Sequence, residues 1–236
     1  MFKLAKKIFY KIVGINPYVD RFVRYHDPRK YWQNRGGDLY FSEQEEVQTR
    51  TLRSEYITSR LKQYPYRRLL EIGCGYGKQL KNLADGKVIL IGCDFSRPQL
   101  LKAKDYCKGM PLRLVEADAE FVPLKSKSVD LAFSSAVILH NNYRKAQAIV
   151  SEMIRVSRRF LAHNEDTDVT FSRYGYDLCK TYERLGFKIR ESGTIPCEAD
   201  PSITQFTVAE LPSEQIIVRP EDVPLAFHKE IKTASV

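Results

Sequence analysis

Leu69-Leu70-Glu71-Ile72-Gly73-Cys74-Gly75-Tyr76-Gly77 decides the fold of this 236-residue chain. A basic Arg67-Arg68 pair leads into the apolar run, and Lys78-Gln79-Leu80-Lys81-Asn82-Leu83 follows the third glycine. The order reads as a buried strand, a tight turn that only glycine tolerates, and the start of a helix. Such a turn brings backbone close to a ligand and aims helix N–H groups at it.

Toward the C-terminus, strands and helices alternate. Arg67–Ile72 reads as strand one and Lys78–Ala84 as a helix closed by Gly86. Val88–Cys93 is an apolar strand ending in Asp94, and Ser96 caps a helix over Gln99–Cys107. Strand three is Leu112–Glu116, followed by Ala117-Asp118-Ala119-Glu120, and strand four is Ser128–Ser134. Ala146, Ile149, Val150, Met153, Ile154 and Val156 then form one apolar helical stripe. Arg159–His163 is strand five, Tyr174–Leu185 a helix, and Phe187–Ser192 and Thr204–Leu211 the last two strands, able to pair antiparallel at an edge. This spacing predicts βαβ units in an α/β, Rossmann-like doubly wound sheet.

Ligands in such sheets sit beyond the carboxyl ends of the strands, at the point where strand order reverses. Three nucleotide sites compete for the glycine turn. A dinucleotide fingerprint needs Gly or Ala at 78, where Lys78 stands. A phosphate-cradling loop needs Gly at 72 and Ser or Thr at 79, where Ile72 and Gln79 stand. E-x-G-x-G-x-G remains. Glu71 repels a pyrophosphate but suits a cation such as an α-amino group or sulfonium. Asp94 can accept from two ribose hydroxyls, and Asp118, with the Ala119 backbone beside it, can meet an adenine edge.

Glu71-Ile-Gly73-Cys-Gly75-Tyr-Gly77, Asp94, Asp118-Ala119 and Val129-Asp130-Leu-Ala-Phe133 together resemble the successive motifs of class I S-adenosylmethionine (SAM)-dependent methyltransferases, over about residues 66–211. The resemblance implies a seven-stranded, mostly parallel sheet with an antiparallel final strand, and SAM as cofactor. Carried over by motif position, Glu71, Gly73 and Gly75 flank the methionine part, Asp94 the ribose, and Asp118 and Ala119 the adenine, with Cys74, Gly77 and Phe95 also expected to bind the cofactor. Ser135 and Ala136 lie near the methyl group.

The acceptor pocket is expected after strands four and five. His140 and His163 end those strands and are the candidate catalytic residues, since imidazole titrates near neutrality. Glu165, Asp166 and Tyr174 stand behind them. His163-Asn164-Glu165-Asp166 has no distinctive metal spacing, so no metal is expected.

The net charge of +9 is uneven: residues 1–35 hold nine Lys and Arg against Asp20 and Asp27, leaving +2 for the rest. The nearly neutral body favours a small-molecule, glycan or lipid-linked acceptor, and a long nucleic acid less, because a polyanion demands a basic groove. Two rivals stay open: an RNA or protein methyltransferase gripping its substrate with the basic arm, and a SAM-binding subunit without turnover. Five scattered cysteines without a C-x-x-C pair suit reduced thiols in the cytoplasm.

Residues 1–15 place Phe2, Ala5, Ile8, Phe9, Ile12 and Val13 opposite Lys3, Lys6, Lys7 and Lys11. That basic amphipathic helix suits either packing on a protein surface or peripheral contact with an anionic membrane. Residues 16–41 are aromatic and basic and suit a lid over a pocket or a packing strap. The predicted organisation is an N-terminal extension (1–41), a SAM-binding domain (42–211) and a loose tail (212–236). Ser42-Glu43-Gln44-Glu45 reads as a capping box opening a helix to about Gln63. Neither the acceptor nor the oligomeric state is written in these motifs.

Overall fold

The computed structural model describes residues 28–46, 48–167, 173–195, 204–214 and 216–227. The amphipathic pattern of residues 1–15 and the aromatic residues up to 27 lie outside the described residues.

Three helices come first: α1 (Pro28–Arg35), α2 (Asp38–Glu45) and α3 (Gln48–Leu61). Strand β1 (Arg68–Ile72) then occupies the middle of a sheet. It pairs in parallel with β2 (Ile89–Asp94) on one side and β4 (Val129–Ser135) on the other. Strand β3 (Leu112–Glu116) lies beyond β2, and β5 (Ser157–Asp166) beyond β4. Strand β8 (Thr204–Glu210) is inserted between β5 and β7 (Lys188–Thr194) and runs antiparallel to both. The seven-strand order is β3-β2-β1-β4-β5-β8-β7. The chain leaves β1 in one direction for β2 and β3, then returns for β4 and β5. The carboxyl ends of β1 and β4 therefore flank the switch point, where such sheets form their binding crevice.

Both faces of the sheet are covered, which is why its strands read as solid apolar runs. Residues alternate between the faces: Leu69, Leu131 and Phe133 pack against α3 and α4 (Lys78–Leu83), whereas Leu70, Ile72 and Ala132 face α6 (Tyr143–Val156). α6 buries the predicted stripe, Ala146, Ile149, Val150, Met153, Ile154 and Val156. Each large apolar side chain removed from water contributes ~1.5–3 kcal/mol. Helix α5 (Arg97–Tyr106) joins β2 to β3, and α7 (Leu178–Arg184) precedes β7.

Several expectations change. Ser42 is not an N-cap: it lies inside α2, its hydroxyl donates to the Leu39 carbonyl at 3.0 Å, and the predicted single helix is split into α2 and α3. Strand β5 runs to Asp166, three residues beyond the predicted end at His163. The helix expected from Tyr174 begins at Leu178, because Tyr176-Asp177 (β6) pairs antiparallel with Ala226-Phe227 (β9). For the described residues 216–227 that pairing also corrects the reading of a loose tail; residues 228–236 lie outside the described residues. Val223, Leu225 and Ala226 are buried, and the Val218 and Val223 carbonyls accept from Ser151 and Gln147 of α6 at 2.6 and 2.8 Å.

Candidate functional site

The three alternate glycines hold positive φ values, 66° at Gly73, 54° at Gly75 and 83° at Gly77, so the turn needs residues without a Cβ penalty. A Cβ on Gly73 would also lie 2.4 Å from a Val137 methyl. The turn is tied down from β2: the Cys93 carbonyl accepts from the N–H of Gly73 at 2.7 Å and Cys74 at 3.1 Å. Asp94 adds a clamp, accepting from Gly75 N–H at 2.9 Å and Ser96 N–H at 2.8 Å.

A cavity of about 250 Å³ opens above this turn. Gly73, Gly75, Asp94, Phe95, Asp118, Ser135 and Ala136, seven of the sequence-predicted positions, line it together with His140. Ala119 lines a small adjoining pocket. Glu71 lies under the turn, buried, and its Oε2 has no hydrogen-bond partner. Burial first, and Asp94 second, push its carboxyl well above the ordinary range. Burial likewise raises Asp94, opposed by the Ser96 and Gly75 N–H groups. Among the described residues neither carboxyl has a lysine or arginine partner, so Asp94 in the lining, with Glu71 beneath the turn, makes this end of the cavity a place for a cation.

At the other end, the Asp118 carboxylate accepts from Lys145 at 3.2 Å and from Arg29 at 3.4 Å, and the Arg29 guanidinium lies 5.4 Å from the Phe95 ring centre. The far wall is the segment after β4, where Ser135, Ala136, Val137, His140 and Asn141 line the cavity. Trp32 of α1 and Tyr40 of α2 complete it. Trp32 meets Tyr40 edge-on at 5.6 Å and the His140 ring at 5.7 Å. Its carbonyl accepts from Ser96 at 3.2 Å, while Glu45 accepts from Tyr76 at 2.7 Å and pairs with Lys78 at 2.9 Å. α1 and α2 are thus fastened to the glycine turn and to the start of α5.

Four predicted positions do not line the cavity: Glu71, buried beneath the turn, and three others. The Cys74 thiol packs among Leu69, Leu80 and Leu83 in the core, raised far above its ordinary range by burial, so only its backbone serves the turn. Gly77 starts α4, and a Cβ there would lie 3.1 Å from Cys107 Sγ, which makes it a packing position. His163 is corrected outright. It lies inside the sheet, 1% exposed, between Ser134 at 2.8 Å and Tyr182 at 2.5 Å, and burial pushes its imidazole down to about 3. It has no access to a substrate and stays neutral.

A sequence family described as "Methyltransferase domain" matches residues 69–159, from β1 to the start of β5. That stretch of the chain is similar to methyltransferase domains. Its fold resembles that of magnesium protoporphyrin IX methyltransferase from Synechocystis, solved with SAH bound, at a TM-score of 0.63 and 15% identity, over 77% of this chain and 98% of that one. It also resembles Haemonchus contortus phosphoethanolamine N-methyltransferase 1, at a TM-score of 0.60 and 16% identity, over 73% of this chain and 45% of that one. In sequence it is 29% identical over 144 residues to the uncharacterized protein MJ1252 of Methanocaldococcus jannaschii. That match covers 61% of this chain and 48% of MJ1252, so the chain spans about half the length of that relative.

The cavity is also lined by residues that motif reading passed over. Gln99 and Lys145 are polar residues on otherwise ordinary helices, and Val137 is an apolar residue in a loop. None had a local pattern to mark it. Trp32 and Tyr40 did carry a signal, the aromatic density of residues 16–41, but that density fitted a packing strap equally well.

Proposed function

We propose that the chain is a SAM-dependent methyltransferase acting on a small-molecule, glycan or lipid-linked acceptor. The reading is carried by three acids on or just after consecutive strands: Asp94 and Asp118, which line the cavity beyond β2 and β3, and Glu71, buried on β1 beneath the glycine turn. They match in order a ligand with an amino group, a ribose and an adenine. The unpartnered Glu71 Oε2 supports the cationic end of that ligand. SAM supplies an electrophilic methyl group on its sulfonium.

What the chain must do is align rather than activate. The glycine turn and Asp94 fix one reactant, and the wall from Ser135 to Asn141 with Trp32 and Tyr40 confines the other; holding both in line gives most of the acceleration. On that wall His140 is the titratable side chain, placed to take the proton of a hydroxyl or amine acceptor. The lining cations, Arg29 and Lys145, are both engaged by Asp118, so a neutral acceptor suits the wall better than a polyanion. This favours the small-molecule reading over an RNA acceptor.

Isothermal calorimetry with SAH on the wild type and on Asp94→Ala tests the cofactor half. Binding in the wild type and at least a tenfold loss in the variant are expected; absence of binding in the wild type rejects the reading. Transfer of labelled methyl from SAM to neutral acceptors, lipid extracts and total RNA tests the acceptor half, and binding without any transfer favours the non-catalytic subunit. For residues 1–15 we propose a peripheral hold on anionic lipid; failure to float with anionic vesicles rejects it.

A further inference from the structure

The wall that faces the proposed methyl position is built on an uncomfortable backbone. Ala136 has φ of 53°, the left-handed region that costs an L-residue ~1 kcal/mol or more. Val137 returns at once to the right-handed side, with φ −112° and ψ −55°. A left-handed residue followed by a right-handed one turns successive N–H groups to one side, and such a nest binds an anion.

The anion is part of the protein. The Glu165 carboxylate accepts from Val137 N–H at 3.1 and 3.2 Å, from Ile138 N–H at 3.3 Å, from Leu139 N–H at 3.2 Å and from the Ser134 hydroxyl at 2.9 Å. Glu165 is 3% exposed on β5, and the ion pairs of the described residues include none to it. The protons behind it are fixed as well. When Glu165 is ionised it takes the single Ser134 proton, which assigns His163 Nδ1–H as donor to Ser134 and the Tyr182 hydroxyl as donor to His163 Nε2. The chain of bonds runs from α7 through the sheet to the cavity wall with every donor used.

We infer that Glu165 is a positioning residue of this site: its carboxylate holds the Ala136–Leu139 turn, and with it Val137, His140 and Asn141, in the shape that receives the acceptor. What the wall receives rests on the proposed function; the hold itself does not. A carboxylate suits the task because it accepts from four donors at once, with charge-assisted bonds about twice as strong as neutral ones. A glutamine offers one oxygen and sets an NH₂ against N–H groups.

The test is hydrogen exchange of the full chain at fixed pH, read at the amides of 137–139. In Glu165→Gln these amides should exchange at least tenfold faster, while β1 and β2 keep their protection. Adding Ala136→Gly removes the left-handed penalty and should recover part of the protection. A folded Glu165→Gln with unchanged protection at 137–139 overturns the inference. Should that variant fail to fold, the wild type suffices. By NMR the Glu165 carboxyl carbon and the 137–139 amide protons should share one titration midpoint; separate midpoints, or amides that do not respond, overturn the inference. The other titratable groups at this network are His140, which follows Leu139 and is removed by titrating a His140→Gln background, and His163 and Tyr182. Burial holds His163 near 3 and Tyr182 well above its ordinary range, so neither titrates in that window. SAH calorimetry runs alongside: a wild type that exchanges as expected but binds no SAH rejects the functional reading and leaves this one standing.

Discussion

Gly73 is where backbone conformation, packing and ligand access meet. Replacing it with alanine sets a side chain into a left-handed backbone and 2.4 Å from Val137, on the wall that Glu165 holds. Gly73→Ala should lower SAH affinity at least tenfold in calorimetry and reduce stability by ~1–3 kcal/mol in urea unfolding. The buried pair His163 and Glu165 gives a prediction of opposite signs. His163 falls from 6.5 to about 3 on folding, so its stabilising share is present above pH 6.5 and is lost as pH falls toward 3. Glu165 rises from 4.5 to about 7, so its share is present below pH 4.5 and is lost as pH rises toward 7. Between pH 4.5 and 6.5 the two slopes cancel. In Glu165→Gln the falling Glu165 slope is gone while those of His163, Glu71 and Asp94 remain, so across that window the unfolding free energy of the variant should rise with pH relative to the wild type, by at most ~1.4 kcal/mol per unit. Urea unfolding of both proteins at three pH values checks this, and parallel pH profiles contradict it. At this scale the sequence was legible where chemistry forces an identity, as at Gly73, Asp94 and Asp118. It misled at His163, because a strand's last residues cannot be told from its interior when the run after them, Asn-Glu-Asp, is polar but buried in pairs.

Elements were legible by period and misread by punctuation. The stripe of α6 and the apolar strands β1, β2 and β4 follow from spacing alone. Ser42-Glu43-Gln44-Glu45 fits a helix start, yet the helix begins earlier, at Asp38, where Gly37 with φ of 74° breaks the chain from α1. Local signals compete, and here tertiary ties decide: Asp38 pairs with Lys102 at 2.8 Å, and Glu45 holds Tyr76 and Lys78. A Ser42→Ala variant separates the two readings. Loss of an N-cap would destabilise by ~1 kcal/mol, whereas a mid-helix serine gives way to alanine with a change within ~0.5 kcal/mol or a small gain. The structure predicts the second result in thermal unfolding. The placement of β8 between β5 and β7 has no local signature, since it is set by pairing with strands distant in sequence.

At the scale of the whole molecule the sheet is closed on one side by the chain's later residues. Leu225 is buried at 4% exposure against the α6 layer, with Ile216 and Val218 packed beside it. Leu225→Ala should destabilise the domain by ~2–4 kcal/mol in urea unfolding; a loose segment would give nothing measurable. Pro220 and Pro224 keep the segment out of an α-helix, and the Val218 and Val223 carbonyls find donors on α6 instead. The same strap has a consequence for biosynthesis. A ribosome emits residues 216–227 after every strand of the large sheet, so α6 keeps its Gln147–Ser151 flank uncovered through most of translation. A chain stalled before residue 216 would offer that flank to chaperones.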